Sequence, residues 1–179
     1  MRPQFPIRMP GGMAPKEEPP ATIDNLDPMI DYANLECLNI DSSTPVTNAL
    51  KQNSDSLVIQ SDTDPQILFN IAFLNTVKVH HLKIKAKDDG TGPKKVKIFG
   101  NRINMGFSDA EEQKADQEFV LTPENYSGDI ELKYVKFQRV DRITIFIEDN
   151  YGAPKTVIQK LELWGCAGKG TDVLFKLNE

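Results

Sequence analysis

The sequence predicts an all-β sandwich preceded by two short helices, and three observations predict it. Apolar and polar residues alternate in short runs beyond Leu57. Turn-forming residues separate those runs, and no long amphipathic helix lies between them. A parallel α/β sheet would need such helices to cross from strand to strand.

Residues 1–23 hold six of the twelve prolines, the pair Gly11-Gly12 and the charged run Lys16-Glu17-Glu18. With no apolar period to bury, this stretch reads as a tail or linker, and the folded domain is expected over 24–179. Asp24 or Asn25 can cap a helix in which Leu26, Met29, Ile30 and Ala33 follow i, i+3, i+4, i+7 spacing, with Pro28 in its first turn. A second short helix is expected from Thr44-Pro45 through Val46, Ala49 and Leu50.

The strands follow. Ile67, Phe69, Ile71 and Phe73 occupy one face of a strand, and further runs span Val77 to Lys85, Lys95 to Phe99, Ile130 to Gln138, Arg142 to Glu148 and Thr156 to Trp164. Turns are expected at Leu74-Asn75, Asp89 to Pro93, Ser127 to Asp129 and Asn150 to Gly152. Two runs slip phase. Val77 and Val79 give way to Leu82 and Ile84 around His80-His81, and Ile130, Leu132 and Tyr134 give way to Val135 and Phe137. A bulge or bend at each point lets a strand cross a sandwich corner. The acidic stretch Ser108 to Glu118 is read either as a turn or two of exposed helix or as a long loop.

Composition narrows function. With 26 acidic and 21 basic residues the net charge is −5, which offers no global field for nucleic acid. Apolar runs are far shorter than the roughly 20 residues a membrane span needs. Prolines break the N-terminus before a secretory apolar region could form, so an intracellular protein is expected, and the Asn125-Tyr126-Ser127 sequon is then idle. Cys37 and Cys166 form no C-x-x-C pair and are read as reduced thiols, Cys37 buried beside Glu36 and Cys166 exposed.

Several motifs invite chemistry. His80-His81 would have to share a metal or a catalytic proton from opposite strand faces, unless a bulge redirects them, so both are read as structural or surface histidines. Gly168-Lys169-Gly170-Thr171 imitates part of a phosphate loop, but Leu163 stands where its first glycine belongs and too little chain follows for a long helix. Glu36, Asp62, Asp64, Asp88 and Asp89 lie near turns without calcium-loop spacing and are read as turn caps. Trp164 could offer an aromatic face to a sugar or pack at the core rim.

Taken in order, Glu36-Cys37-Leu38-Asn39, Ser61-Asp62-Thr63-Asp64 leading into Gln66-Ile67-Leu68, and Asp89-Gly90-Thr91-Gly92-Pro93 followed by Lys94 to Phe99 resemble the PITH domain. So do Leu132 to Val140, Ile143 to Ile147, Asn150-Tyr151-Gly152 and Thr171-Asp172. This is the C-terminal domain of thioredoxin-like protein 1 and of stand-alone PITH proteins. The resemblance implies a jelly-roll β-sandwich similar to galactose-binding domains. It also implies a non-catalytic, cofactor-free monomer of cytoplasm and nucleus that docks on the 26S proteasome regulatory particle. No Cys-Gly-Pro-Cys motif occurs, so thioredoxin chemistry is not carried over. Loops at the ends of a sandwich are its recognition surface, so the expected partner-binding residues are Asp88, Asp89, Lys94 and Lys95 around the glycine turn, and Lys169, Thr171, Asp172 and Phe175 in the tail. A small-ligand or carbohydrate-binding jelly roll is the alternative.

Overall fold

A computed structural model describes residues 22–51 and 56–167. The expected tail, except its last two residues, and the Gly168 to Thr171 motif lie outside the described residues.

The chain enters through β1 (Asp24–Asn25). The single helix expected here is replaced by two 3-10 turns, Asp27–Met29 and Tyr32–Asn34. Ile30 is extended between them and bridges to Phe73, so an edge contact with the main sheet interrupts the helix. Leu26, Met29 and Ile30 are buried as the spacing requires, whereas Ala33 is exposed. Next come β2 (Glu36–Leu38), α1 (Thr47–Leu50) and β3 (Ile59–Gln60). α1 buries Ala49 and Leu50 where the second helix was expected.

The axis of the molecule is β4, which runs unbroken over Ile67–Lys85. The turn expected at Leu74-Asn75 is absent. Instead the pairing with β8 (Val140–Asn150) passes from Ala72↔Arg142 directly to Val77↔Val140, leaving residues 73–76 as an irregularity inside one strand. β4 continues because both its halves have partners. Residues 67–72 lie between β2 and β8, and residues 77–85 pair with β10 (Lys160–Ala167) and β7 (Ile130–Glu131). One strand thereby feeds both layers of the sandwich.

The phase slip at His80-His81 is a bulge. Trp164 pairs with His81 and Gly165 with Val79, so His80 is the extra residue. Gly165 makes this possible, since a Cβ there would overlap the Lys78 carbonyl oxygen. The second slip is resolved differently. The strand expected over Ile130 to Gln138 ends after Glu131, and Tyr134–Lys136 form a 3-10 turn. Leu132 and Phe137 are buried from irregular backbone, which imitates a strand pattern.

The strand expected from Thr156 to Trp164 is likewise two. β9 (Val157–Ile158) pairs with β3 in a separate ribbon, and β10 then joins the main sheet. The stretch 108–118 divides into α2 (Phe107–Glu112) and the start of β6 (Gln117–Val120), which pairs with β5 (Pro93–Gly100). Asp109 accepts the Gly106 N–H at 3.0 Å and fixes the start of α2.

Between the layers, Phe69, Ile71, Val79, Leu82, Ile84, Val96, Ile98, Ile143, Ile145, Leu161 and Leu163 form one core. The outer face of the β4–β8–β5 layer has a smaller one, in which α2 and its flanks cover Leu68, Phe99 and Phe146 with Met105, Phe107 and Ala110.

Candidate functional site

The residues expected to bind a partner at the glycine turn stand at one end of the sandwich. Asp88 and Asp89 are exposed at its tip. Asp89 Oδ1 accepts from the Thr91 N–H at 3.0 Å and from Thr91 Oγ1 at 2.5 Å, and these bonds hold its carboxyl below the usual carboxylate range. Gly90 follows at φ 91°, a left-handed conformation that glycine adopts without strain.

Two tyrosines not singled out by the sequence reading hold the turn rigid. Tyr126 lies over Gly92, where a Cβ would overlap its ring, and its hydroxyl donates to the Pro93 carbonyl at 2.9 Å. Burial, assisted by Tyr151, Asp88 and Asp89, pushes the Tyr126 phenol up to about 12. The Tyr151 hydroxyl donates to the Leu121 carbonyl, and its ring lies 5.5 Å from Lys94 Nζ. The turn is further tied to β9 by the Val157 N–H donating to the Thr91 carbonyl at 3.0 Å.

Lys94 and Lys95 face different neighbours. Lys94 stays at the loop end, whereas Lys95 Nζ pairs with Glu148 at 2.6 Å, and that pairing raises its pKa. Lys97, two residues on, is buried. It stands 3.8 Å from Glu148 and 3.9 Å from Glu118, with the Ala110 and Glu111 carbonyls at 3.4 and 3.5 Å. The structure therefore leaves Asp88, Asp89 and Lys94 exposed around the turn and engages the likewise exposed Lys95 in an ion pair with Glu148. Lys169, Thr171, Asp172 and Phe175 lie outside the described residues.

Of the other flagged acids Asp64 caps a turn as read, whereas Glu36 lies within β2 and bonds across to β4 instead. Asp64 Oδ1 accepts from Asn39 Nδ2 at 2.8 Å and the Gln66 N–H at 2.9 Å, and Glu36 accepts from Asn70 Nδ2 at 2.9 Å. Among the described residues, no group of three or more His, Cys, Asp or Glu side chains is placed to hold a metal ion. Burial, then Glu36, raises the Cys37 thiol well above its ordinary range, so it is a poor thiolate. Both cysteines are half-buried, Cys37 rather than fully buried and Cys166 rather than exposed.

The bulge brings the histidine rings together. His80 Nδ1 and His81 Nδ1 are 2.8 Å apart, so one donates to the other. His81 stacks on Trp164 with ring centres 5.8 Å apart, and its Nε2 lies 3.5 Å from Asp129. Lys83 approaches the same tryptophan at 5.0 Å, so the indole face is already covered.

A polar cleft of about 450 Å³, unsignalled by any sequence motif, opens on the outer face of the β2–β4–β8 layer beyond α2. Asn70 anchors its floor, donating to Glu36 and to the Met105 carbonyl and accepting from Thr144 Oγ1 at 2.9 Å. Arg102, Asp31 and Arg142 line its walls.

The family model described as the PITH domain matches residues 16–177. A PITH domain-containing protein of Drosophila pseudoobscura pseudoobscura is 41% identical over 142 residues, 76% of this chain and 66% of that one. Thioredoxin-like protein 1 of Schizosaccharomyces pombe is 35% identical over 148 residues, which cover 79% of this chain but 51% of that protein. PITH domain-containing protein 1 of Homo sapiens is 32% identical over 161 residues, 85% of this chain and 75% of that one. The chain thus spans about two thirds of the Drosophila relative and half of the yeast one.

Among solved structures, a family 32 carbohydrate-binding module from Clostridium perfringens NanJ in complex with galactose superposes with a TM-score of 0.59 at 11% identity, covering 80% of this chain and 99% of that one. A striped bass serum fucolectin gives 0.55 at 10%, covering 82% and 48%. These likenesses establish the jelly-roll sandwich.

Proposed function

The chain belongs to the PITH domain family, and from that premise we propose that it is a non-catalytic protein-interaction module that docks on the 26S proteasome regulatory particle, as a monomer of cytoplasm and nucleus. The observation that carries the reading is the glycine turn. Asp88, Asp89 and Lys94 are exposed on a loop that Tyr126, Tyr151 and β9 hold in one conformation. A preorganised charged loop loses little entropy on binding, which favours recognition. The raised Cys37 thiol and the mutually bonded histidines support the non-catalytic part.

Capture of purified 26S regulatory particle by the immobilised chain tests this. Asp88→Lys with Lys94→Glu should weaken capture by about tenfold, equivalent to ~1.4 kcal/mol. The melting temperature should hold, because both side chains are exposed. Lys95 is left unchanged, since reversing it would set two acids together at Glu148. Undiminished capture by the double variant removes the turn from the interface, and no capture by the wild type ends the docking reading.

The cleft supports a second reading, a small polar ligand held over Asn70 and Thr144. A thermal-shift screen of monosaccharides and polar metabolites examines it, because a specific ligand raises the melting temperature by mass action.

A further inference from the structure

The opposite end of the sandwich carries a second organised surface. Asn101 is its hub, at φ 56°, a left-handed conformation that asparagine tolerates better than most residues. Its N–H donates to the Arg142 carbonyl at 2.9 Å, its Nδ2 to the Arg139 carbonyl at 2.7 Å, and its Oδ1 accepts from the Asp141 N–H at 2.8 Å. Thr76 Oγ1 donates to Asp141 Oδ1 at 2.5 Å, and the Lys136 carbonyl lies beside Gly100. Segments 73–76, 100–105 and 133–142 are thus knitted into one platform.

That platform displays large apolar side chains to water: Val135 is 82% exposed, Ile103 74%, Tyr134 66% and Leu74 58%. Lys133, Lys136 and Arg139 are exposed on the same segments and make no ion pair among the described residues, while Arg142 lines the adjoining polar cleft with Asp31 and Glu36. The neighbouring anions are engaged. Asp141 is held by Thr76, and Asp116 accepts the Gly100 N–H at 2.7 Å and faces Arg102 at 3.5 Å. In a chain of net charge −5, this end is locally cationic.

Apolar side chains fringed by unpaired cations are the anatomy of a docking surface, and the charge names the occupant. We propose that segments 73–76, 100–105 and 133–142 dock an acidic segment of another protein that also carries apolar side chains. Nucleic acid fits less well, because Tyr134 is the one aromatic of these four side chains, and Leu74, Ile103 and Val135 are aliphatic and offer no stacking face. The surface is separate from the glycine turn. β10 ends beside it, with Ala167 paired to Val77.

Fluorescence anisotropy on the full chain tests the proposal with a labelled peptide of Glu, Asp and Leu, against the same peptide with Lys at every acidic position. The acidic peptide should bind, more weakly as salt rises. Lys133→Glu with Lys136→Glu and Arg139→Glu should cost about tenfold in affinity, and Val135→Asp a comparable factor. Asp88→Lys with Lys94→Glu should leave peptide binding unchanged, which separates this surface from the proteasome reading. The proposal is overturned if neither peptide binds, if both bind alike, if the triple variant keeps wild-type affinity, if single-stranded oligonucleotide displaces the acidic peptide, or if self-association of the chain accounts for the signal.

Discussion

Two imidazoles that face each other at 2.8 Å have room for one proton between them. Protonating both Nδ1 atoms would set two N–H groups head-on. His81 is held below the ordinary histidine value chiefly by burial. His80 and Lys83 add to that depression, while Asp129 and Glu131 oppose it. The unfolded chain, with histidine near ~6.5, therefore takes up a proton that the folded chain resists. Stability from this group is complete above about pH 6.5 and falls on acidification below it. The melting temperature should drop between about pH 7.5 and 5.5, and His81→Asn should flatten that slope. Asp41 and Asp89, both held low by hydrogen bonds, lose their contributions only on further acidification, as the pH falls through the carboxylate range near ~4. An unaltered slope in the variant would assign the pH dependence to other groups. The pair was visible in the sequence, but its contact was not, because neighbours on a regular strand point apart and only the bulge with Gly165 turns them together.

At the level of elements, α2 is a six-residue helix, too short to persist without tertiary support. Phe107 and Ala110 pack it onto Phe146 and Leu68, and Lys97 reaches its Ala110 and Glu111 carbonyls from the sheet beneath. Lys97→Met keeps the aliphatic stem while removing the ammonium between Glu118 and Glu148. The expected cost is about 1–3 kcal/mol in denaturant unfolding. Faster amide exchange should be confined to α2 and its flanks. Exchange that rises evenly across the sheet would show that Lys97 supports the whole layer rather than the helix. The helix was one of two sequence readings for this stretch, and its anchor was hidden because an alternating strand does not announce which of its lysines is covered from above.

For the whole molecule, β4 belongs to both layers, and its inward side chains share one core with β5, β8 and β10. Neither layer can leave without exposing the other, so a single cooperative transition is expected. Trp164 reports on the β10 layer through its stack on His81, while far-UV circular dichroism reports on all strands. The two signals should fall together with denaturant. A fluorescence transition that precedes the dichroism change would mean that the layers separate.

The alternation of Ile67 to Phe73 and of Val96, Ile98, Ile143, Ile145 and Ile147 was enough to specify strands with one buried face, because burial on a pleated backbone writes a period of two into the sequence. The slip at His80-His81 likewise recorded a bulge. Tertiary structure alone decided that Leu74-Asn75 is passed without a turn, that Tyr134–Lys136 leaves the strand, and that Thr156 to Trp164 serves two sheets. It also brought Asn70, Thr144 and Arg142 to one cleft and Asn101 to Arg139 and Asp141. A local pattern records whether a side chain is buried. The partner that buries it, or that a loop will meet, comes from residues distant in the chain, whose approach no period in the sequence encodes.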